Sequence, residues 1–277
     1  MVWAGTTHIQ PLHLAATWAR QLADVQRPAA CIWSANPVPR TAELDGVDWC
    51  WHRLELPPRI DRHAANAHPR QPWSPWGSKS GPNFQFFQVL DQFADAHPHD
   101  WLLYTEPDTF PVGRPADAIR DLVERHGDAW MIGGHAHPTI RDQLEPAMHH
   151  HLNGAALYRA GSAAFRQFRQ LTWIPSLLWR IRARPEYAYD CLTDPSQHTD
   201  LPARLAAAWA TAEHRFVATS GIVNLSTRTL TVADAHAAVC SAELETECRR
   251  EGTVPWMFHA KGPIGTSLLA PLDASHD

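Results

Sequence analysis

The stretch Trp101-Leu102-Leu103-Tyr104-Thr105-Glu106-Pro107-Asp108-Thr109 decides how the rest of the chain is read. It opens with a short apolar run of the kind that forms a buried strand, then ends abruptly in two carboxylates two positions apart. What flanks it sets the fold class. Pro82 to Ala96 carries Phe86, Phe87, Leu90, Phe93 and Ala94 at helical spacing, with Ser80 placed to cap the start, Pro82 suited to the first turn, and Pro98 as a stop. Ala116 to His126 repeats an amphipathic pattern, and Ala129 to Ile132 is another buried-type strand.

Working outward, strand-like runs at Met1–Ala4, Ala29–Trp33 and Val47–Leu56 alternate with a helical pattern over Pro11–Leu22 (Leu12, Ala15, Ala16, Ala19, Leu22). The segment from there to Gly77 is rich in Pro, His and Arg and reads as loop. Strands alternating with helices predict an α/β fold, a single domain over 1–277 with a mostly parallel central sheet flanked by helices. Beyond Gly154 the pattern predicts helical pieces over Tyr158–Trp179, an Ala-rich helix over Leu201–Thr211, one strand over Phe216–Leu225, and a closing Gly/Pro loop around His259-Ala260-Lys261-Gly262-Pro263.

Composition narrows the function classes. The 277 residues carry a net charge of -5, 44% hydrophobic and 19% charged side chains, so a general nucleic-acid binder is not expected. No apolar run approaches the ~18 residues of a membrane span, and MVWAGTTHIQ has no secretory pattern. Five widely spaced cysteines without a C-x-x-C pair argue against a disulfide framework and against a Cys-rich zinc site, and favour a reducing cytoplasm. Only Lys79 and Lys261 among the 24 basic residues are lysines, which marks the places where a compact ammonium has a local use.

Four segments carry candidate chemistry. Glu106 and Asp108 at the C-terminal end of a strand offer hard oxygen donors for Mg²⁺ or Mn²⁺ at the edge where open α/β sheets bind ligands; the same pair also suits an acidic turn capping the next helix. Ser78-Lys79-Ser80-Gly81-Pro82-Asn83 opens a helix, where backbone N–H groups favour anions. His151-Leu152-Asn153-Gly154 is a polar turn entering an apolar segment, and His259-Ala260-Lys261-Gly262 places an imidazole and an ammonium two positions apart.

In that order these segments resemble the metal-dependent GT-A-type glycosyltransferases: a K-x-G-x-N helix start, a strand ending in a D-x-D-like motif, an N-G-A-x-L-Y-R segment and a late H-x-K-G. The resemblance covers roughly Lys79 to Gly262 and implies a Rossmann-like GT-A domain, with 1–115 as a nucleotide-binding half and 116–277 as an acceptor-side half. It implies that Asp108, Glu106 and His259 hold Mn²⁺ or Mg²⁺, and that Thr6, Lys79, Asn83, Glu106, Asn153, Gly154, Lys261 and Gly262 line the nucleotide-diphosphate sugar. Lys261 would neutralise the leaving diphosphate. An inverting enzyme also needs a carboxylate base toward a glycan or other hydroxyl acceptor, which could come from Asp190, in Tyr187-Ala188-Tyr189-Asp190, or from Asp194. Glu in place of the first Asp, and Pro107 between the carboxylates, depart from the family pattern.

Two other readings stand beside this one. His135 and His137, with His149-His150-His151 nearby, could hold zinc for a hydrolase, although Thr139 stands where an H-x-H-x-D-H motif has its acid. A non-enzymatic carbohydrate-binding protein on the same fold is the third.

Overall fold

The fold is that of a computed structural model, which describes residues 1–7, 12–22, 28–34, 36–55, 80–106, 108–141, 144, 149, 152, 154–172, 203–225 and 230–260. Three parallel strands begin it. β1 (Val2–Thr6), β2 (Ala29–Ser34) and β3 (Asp48–Arg53) lie side by side, with α1 (Leu12–Gln21) connecting the first two. After α2 (Ser80–Ala96) the chain returns to the other side of β1 as β4 (Trp101–Tyr104), again parallel. The strand order β3-β2-β1-β4 therefore reverses direction between β1 and β4. Such a reversal, at the carboxyl ends of the two strands, is where doubly wound sheets place ligands.

The sheet continues with β7 (Ala156–Tyr158), β6 (Met131–Gly133) and β8 (Phe216–Ala218), giving seven strands in the order β3-β2-β1-β4-β7-β6-β8. β7 runs antiparallel to both its neighbours, and every other pairing is parallel. The architecture is α/β with a mostly parallel central sheet flanked by helices, as the alternation predicts.

Period-two alternation divides the sheet's side chains between two cores. Trp3, Cys31, Trp33, Leu102, Tyr104, Met131, Ala156 and Tyr158 face α2 and α5 (Ala163–Thr172). Ala4, Ala30, Ile32, Trp101, Leu103, Ile132 and Leu157 face α1 and α3 (Pro115–Arg125). Near-continuous apolar strands follow from burial on both faces. On the α2 side, Phe86 meets Tyr104 and Tyr158 edge-on, with centroids 5.2 and 5.3 Å apart. Each such ring buries enough apolar surface to contribute roughly 1.5–3 kcal/mol.

A second, three-stranded sheet, not foreseen from the sequence, packs against the α1 side. It has the order β5-β10-β9, from β5 (Thr109–Pro111), β10 (Met257–Ala260) and β9 (Ile222–Leu225). The single strand expected over Phe216–Leu225 is two, β8 and β9, in different sheets, with Thr219 to Gly221 between them. His259, expected in a closing loop, lies in β10. One face of this sheet (Ile222, Met257) meets the α1-side core. The other (Val223, Leu225, Phe258, Ala260) is covered by α4 (Pro138–Arg141) and two helices the hydrophobic pattern did not reveal. These are α7 (Val232–Val239) and α8 (Ala242–Glu251); α6 (Ala203–Ala212) precedes them. Thr231 and Asp234 form a capping box on α7, Ser241 caps α8 by accepting from Leu244 N–H, and Gly252 ends α8 at φ 64°.

Gly134 joins the two sheets. A Cβ there would stand 2.3 Å from the Ile222 carbonyl oxygen, so the sheets approach as closely as they do only over a glycine. Gly134→Ala is expected to lower the unfolding free energy by ~1–3 kcal/mol in urea titration. An unchanged midpoint and slope would show that the sheets are not in contact there.

Candidate functional site

Glu106 and Asp108 sit just past β4, at the strand reversal, and the backbone around them is pinned on both sides. Thr105 donates from its N–H and its hydroxyl to the Gly5 carbonyl, at 2.8 and 3.0 Å, tying the end of β4 to β1. The Thr109 hydroxyl donates to the Glu106 carbonyl at 2.7 Å and accepts from the Glu106 N–H at 3.2 Å. Thr109 N–H closes the same turn onto the Glu106 carbonyl at 3.1 Å. Trp18 of α1 adds a bond from Nε1 to the Thr109 carbonyl at 3.3 Å. The two carboxylates therefore project from a turn with little freedom.

His259 arrives from the second sheet. β10 pairs antiparallel with β5 so that His259 is opposite Thr109, and Ala260 N–H bonds the Asp108 carbonyl at 2.9 Å. Its Nε2 stands 3.2 Å from Asp108 Oδ1 and 3.6 Å from Glu106 Oε2. His259 is 2% exposed and Asp108 9%. Neither ring nitrogen of His259 makes a hydrogen bond of good geometry among the described residues. One ligand atom from each of the three residues lies within 4.8 Å of the others. A buried imidazole facing two carboxylates, with donor set O, O, N, fits a hard or borderline divalent ion.

Without an ion the group has a clear charge logic. Burial would lower the imidazole's affinity for a proton, but Asp108 and Glu106 outweigh it and push His259 up to about 9. Burial raises the Tyr104 hydroxyl above its ordinary range, and the charge of Glu106 adds to this.

Gly154 is the other predicted residue brought to this place. A Cβ there would lie 3.6 Å from Glu106 Oε1, and its carbonyl accepts from the Tyr158 hydroxyl at 2.7 Å. Thr6 is buried at the end of β1, beside the reversal. Asn83 falls in the first turn of α2, but its side chain lies outside the described residues, as do Lys79, Asn153, Asp190, Lys261 and Gly262.

Sequence reasoning passed over Thr109, which clamps the acidic turn, and Asn224. The latter is 4% exposed, pairs in register with His259, and accepts at its carbonyl from His137 N–H at 2.9 Å. The signal was a polar residue at the third position of two apolar runs, Ile222-Val223-Asn224-Leu225 and Met257-Phe258-His259-Ala260. The zinc-hydrolase histidines find no such setting. His137 Nδ1 accepts from Thr139 N–H at 3.3 Å and lies 3.0 Å from its hydroxyl, starting α4. Neither His135 nor His137 joins a group of three metal-capable side chains among the described residues.

No family model and no curated protein matches the chain. Among solved structures, mouse xyloside xylosyltransferase 1 in its apo form aligns over 93% of this chain and 96% of its own, with 13% identity and a TM-score of 0.47. A likeness at that level carries no weight for function, which rests on the residues themselves. No helix among the described residues is long and apolar enough to cross a membrane.

The His259 contacts set a pH dependence. A group whose folded pKa lies above its unfolded value of ~6.5 stabilises the fold fully below that value and loses this as pH rises toward 9. In EDTA, urea unfolding of the wild type should lose on the order of 3 kcal/mol between pH 6 and pH 9.5 relative to His259→Asn. Parallel profiles for the two proteins would mean that the carboxylates do not hold a charged imidazole.

Proposed function

We propose that this chain is a divalent-metal-dependent glycosyltransferase with a GT-A-like fold, moving a sugar from a nucleotide-diphosphate donor to a hydroxyl acceptor. The observation that carries this reading is the meeting of Glu106, Asp108 and buried His259 at the reversal between β1 and β4. That is where a doubly wound sheet holds a nucleotide, and the ligand set suits an ion that also binds phosphate oxygens.

In this reading Asp108, Glu106 and His259 hold Mn²⁺ or Mg²⁺. When bound, the ion neutralises negative charge that builds on the diphosphate as the anomeric C–O bond breaks. Thr6, at the end of β1, borders the nucleoside. Lys79, which precedes the 17-residue α2 in sequence, and Asn83, in its first turn, meet donor phosphate together with the N–H groups of a helix start. Gly154 keeps the space beside Glu106 Oε1 open for the donor sugar, with Asn153 next to it. Lys261 and Gly262 follow β10 directly in sequence, so the strand that positions His259 also leads to the ammonium that compensates the leaving group. Asp190 is the proposed base that takes the acceptor hydroxyl's proton.

A panel of nucleotide sugars, assayed for nucleoside diphosphate release with Mn²⁺ or EDTA, tests the proposal. Metal-dependent release or transfer from at least one donor is expected. Asp108→Asn should abolish it, and Lys261→Ala should lower kcat by ~10²–10³ with the fold intact. Lys261→Arg should restore only part, because the planar guanidinium is bulkier than an ammonium. Sugar binding without metal-dependent turnover of any donor would favour the carbohydrate-binding reading.

A further inference from the structure

A second cluster of metal-competent side chains shares no residue with the acidic turn and gathers on β2, the edge strand β3 and the end of α2. Cys31 of β2 and Cys50 of β3 are register partners, with Sγ atoms 2.7 Å apart and both thiols free. His52, two residues further along β3 and so on the same face, brings Nε2 to 3.3 Å from Cys50 Sγ. His97, the residue after α2, brings Nε2 to 3.9 Å from Cys31 Sγ. All four ligand atoms lie within 4.8 Å of one another.

We infer that Cys31, Cys50, His52 and His97 form a structural Cys₂His₂ zinc site. Each side chain presents a donor to one point, and the surroundings are built to keep it there. Trp33 stacks on His52 with ring centroids 5.2 Å apart and planes 16° from parallel. Trp3 and Phe93 pack on His97 at 4.1 and 5.0 Å. Asp100 Oδ2 lies 3.8 Å from His97 Nδ1, the position of the carboxylate that commonly orients a metal-bound imidazole from behind. Asp100 is itself fixed by the Trp3 indole N–H at 3.0 Å.

The chemistry selects the ion. Two thiolates and two neutral imidazoles form a soft, four-coordinate set that suits zinc and not magnesium, calcium or manganese. Binding releases the two thiol protons to solvent. The charges of Zn²⁺ and two thiolates then sum to zero, which keeps net charge out of a site where Cys31 is fully buried. With Zn–S bonds of ~2.3 Å the sulfurs stand roughly 3.7 Å apart, so loading parts them by about an ångström. Four protein ligands leave no open position, which marks a structural centre.

The centre has a mechanical role. Among the described residues β3 is an edge strand, paired only with β2. One ion would tie β3, β2 and the end of α2 together at a single point. The sequence expectation, drawn from the missing C-x-x-C pair, was against a Cys-rich zinc site, and the proposal departs from it on the meeting of these four side chains. The ligands come from β2, β3 and the residue after α2, and only the register of β2 on β3 together with the end of α2 unites them.

Tag-free full-length protein, kept reduced and dialysed against a weak chelator, should retain about one zinc per chain by elemental analysis. A mercurial thiol reagent should release it. Asp108→Asn and Glu106→Gln should retain it, which separates this site from the acidic turn, whereas Cys31→Ser and Cys50→Ser should lose it. Cobalt added to metal-free wild type should show sulfur-to-cobalt charge transfer and the intense visible bands of a tetrahedral centre, a readout that needs no variant to fold. His52→Ala, at the sheet edge, should weaken cobalt binding at least tenfold. Cobalt bound without the sulfur band would overturn the assignment. So would two thiols that react at the same rate with and without zinc, or a mass lower by two hydrogens from a Cys31–Cys50 disulfide.

Discussion

The antiparallel pairing of β10 with β5 is the contact on which the candidate site depends. It sets His259 opposite Thr109 and so carries an imidazole from near the end of the described chain to the acidic turn after β4. A one-residue slip would turn His259 to the opposite face of its strand, toward the core under α7 and α8, and bring Phe258 to the carboxylates. The register resists that slip because Met257 and Phe258 occupy two different apolar cores. Burial thus positions a polar residue that could not choose its own place.

Most of the central sheet was legible because its signals are local; the exception is three-residue β7, whose Tyr158 was expected to open a helical piece. Apolar runs at β1, β2 and β4, and the helical spacing of α2 and α3, lie within windows of a few turns. Glu106 and Asp108 could be located at a strand end for the same reason. The second sheet was not legible. β5 and β10 are three and four residues long, and their pairing spans about 150 residues, so no local pattern announces it. α7 and α8 were missed for want of a clean apolar stripe, although Thr231 with Asp234, Ser241, and Gly252 marked their ends. Caps were the better guide there than periodicity.

The same contrast separates the two metal-competent clusters. His259 stood out through its company, a late H-x-K-G. Cys31, Cys50, His52 and His97 had no such company in sequence, because strand pairing and a helix end assemble them. Each cluster mixes buried and partly exposed donors: buried Asp108 and His259 with Glu106, and buried Cys31 with Cys50, His52 and His97. Their donor atoms differ in softness, so the oxygen-rich set suits manganese or magnesium and the set with two sulfurs suits zinc.

The most direct test of the account is to locate the proposed ion. Crystals of the full chain soaked with Mn²⁺ and a nucleoside diphosphate should show an anomalous peak at the manganese edge between Asp108, Glu106 and His259, at ~2.0–2.6 Å from their donor atoms. The diphosphate should share that ion. A nucleotide bound elsewhere, or manganese absent from these three residues with the diphosphate in place, would contradict it.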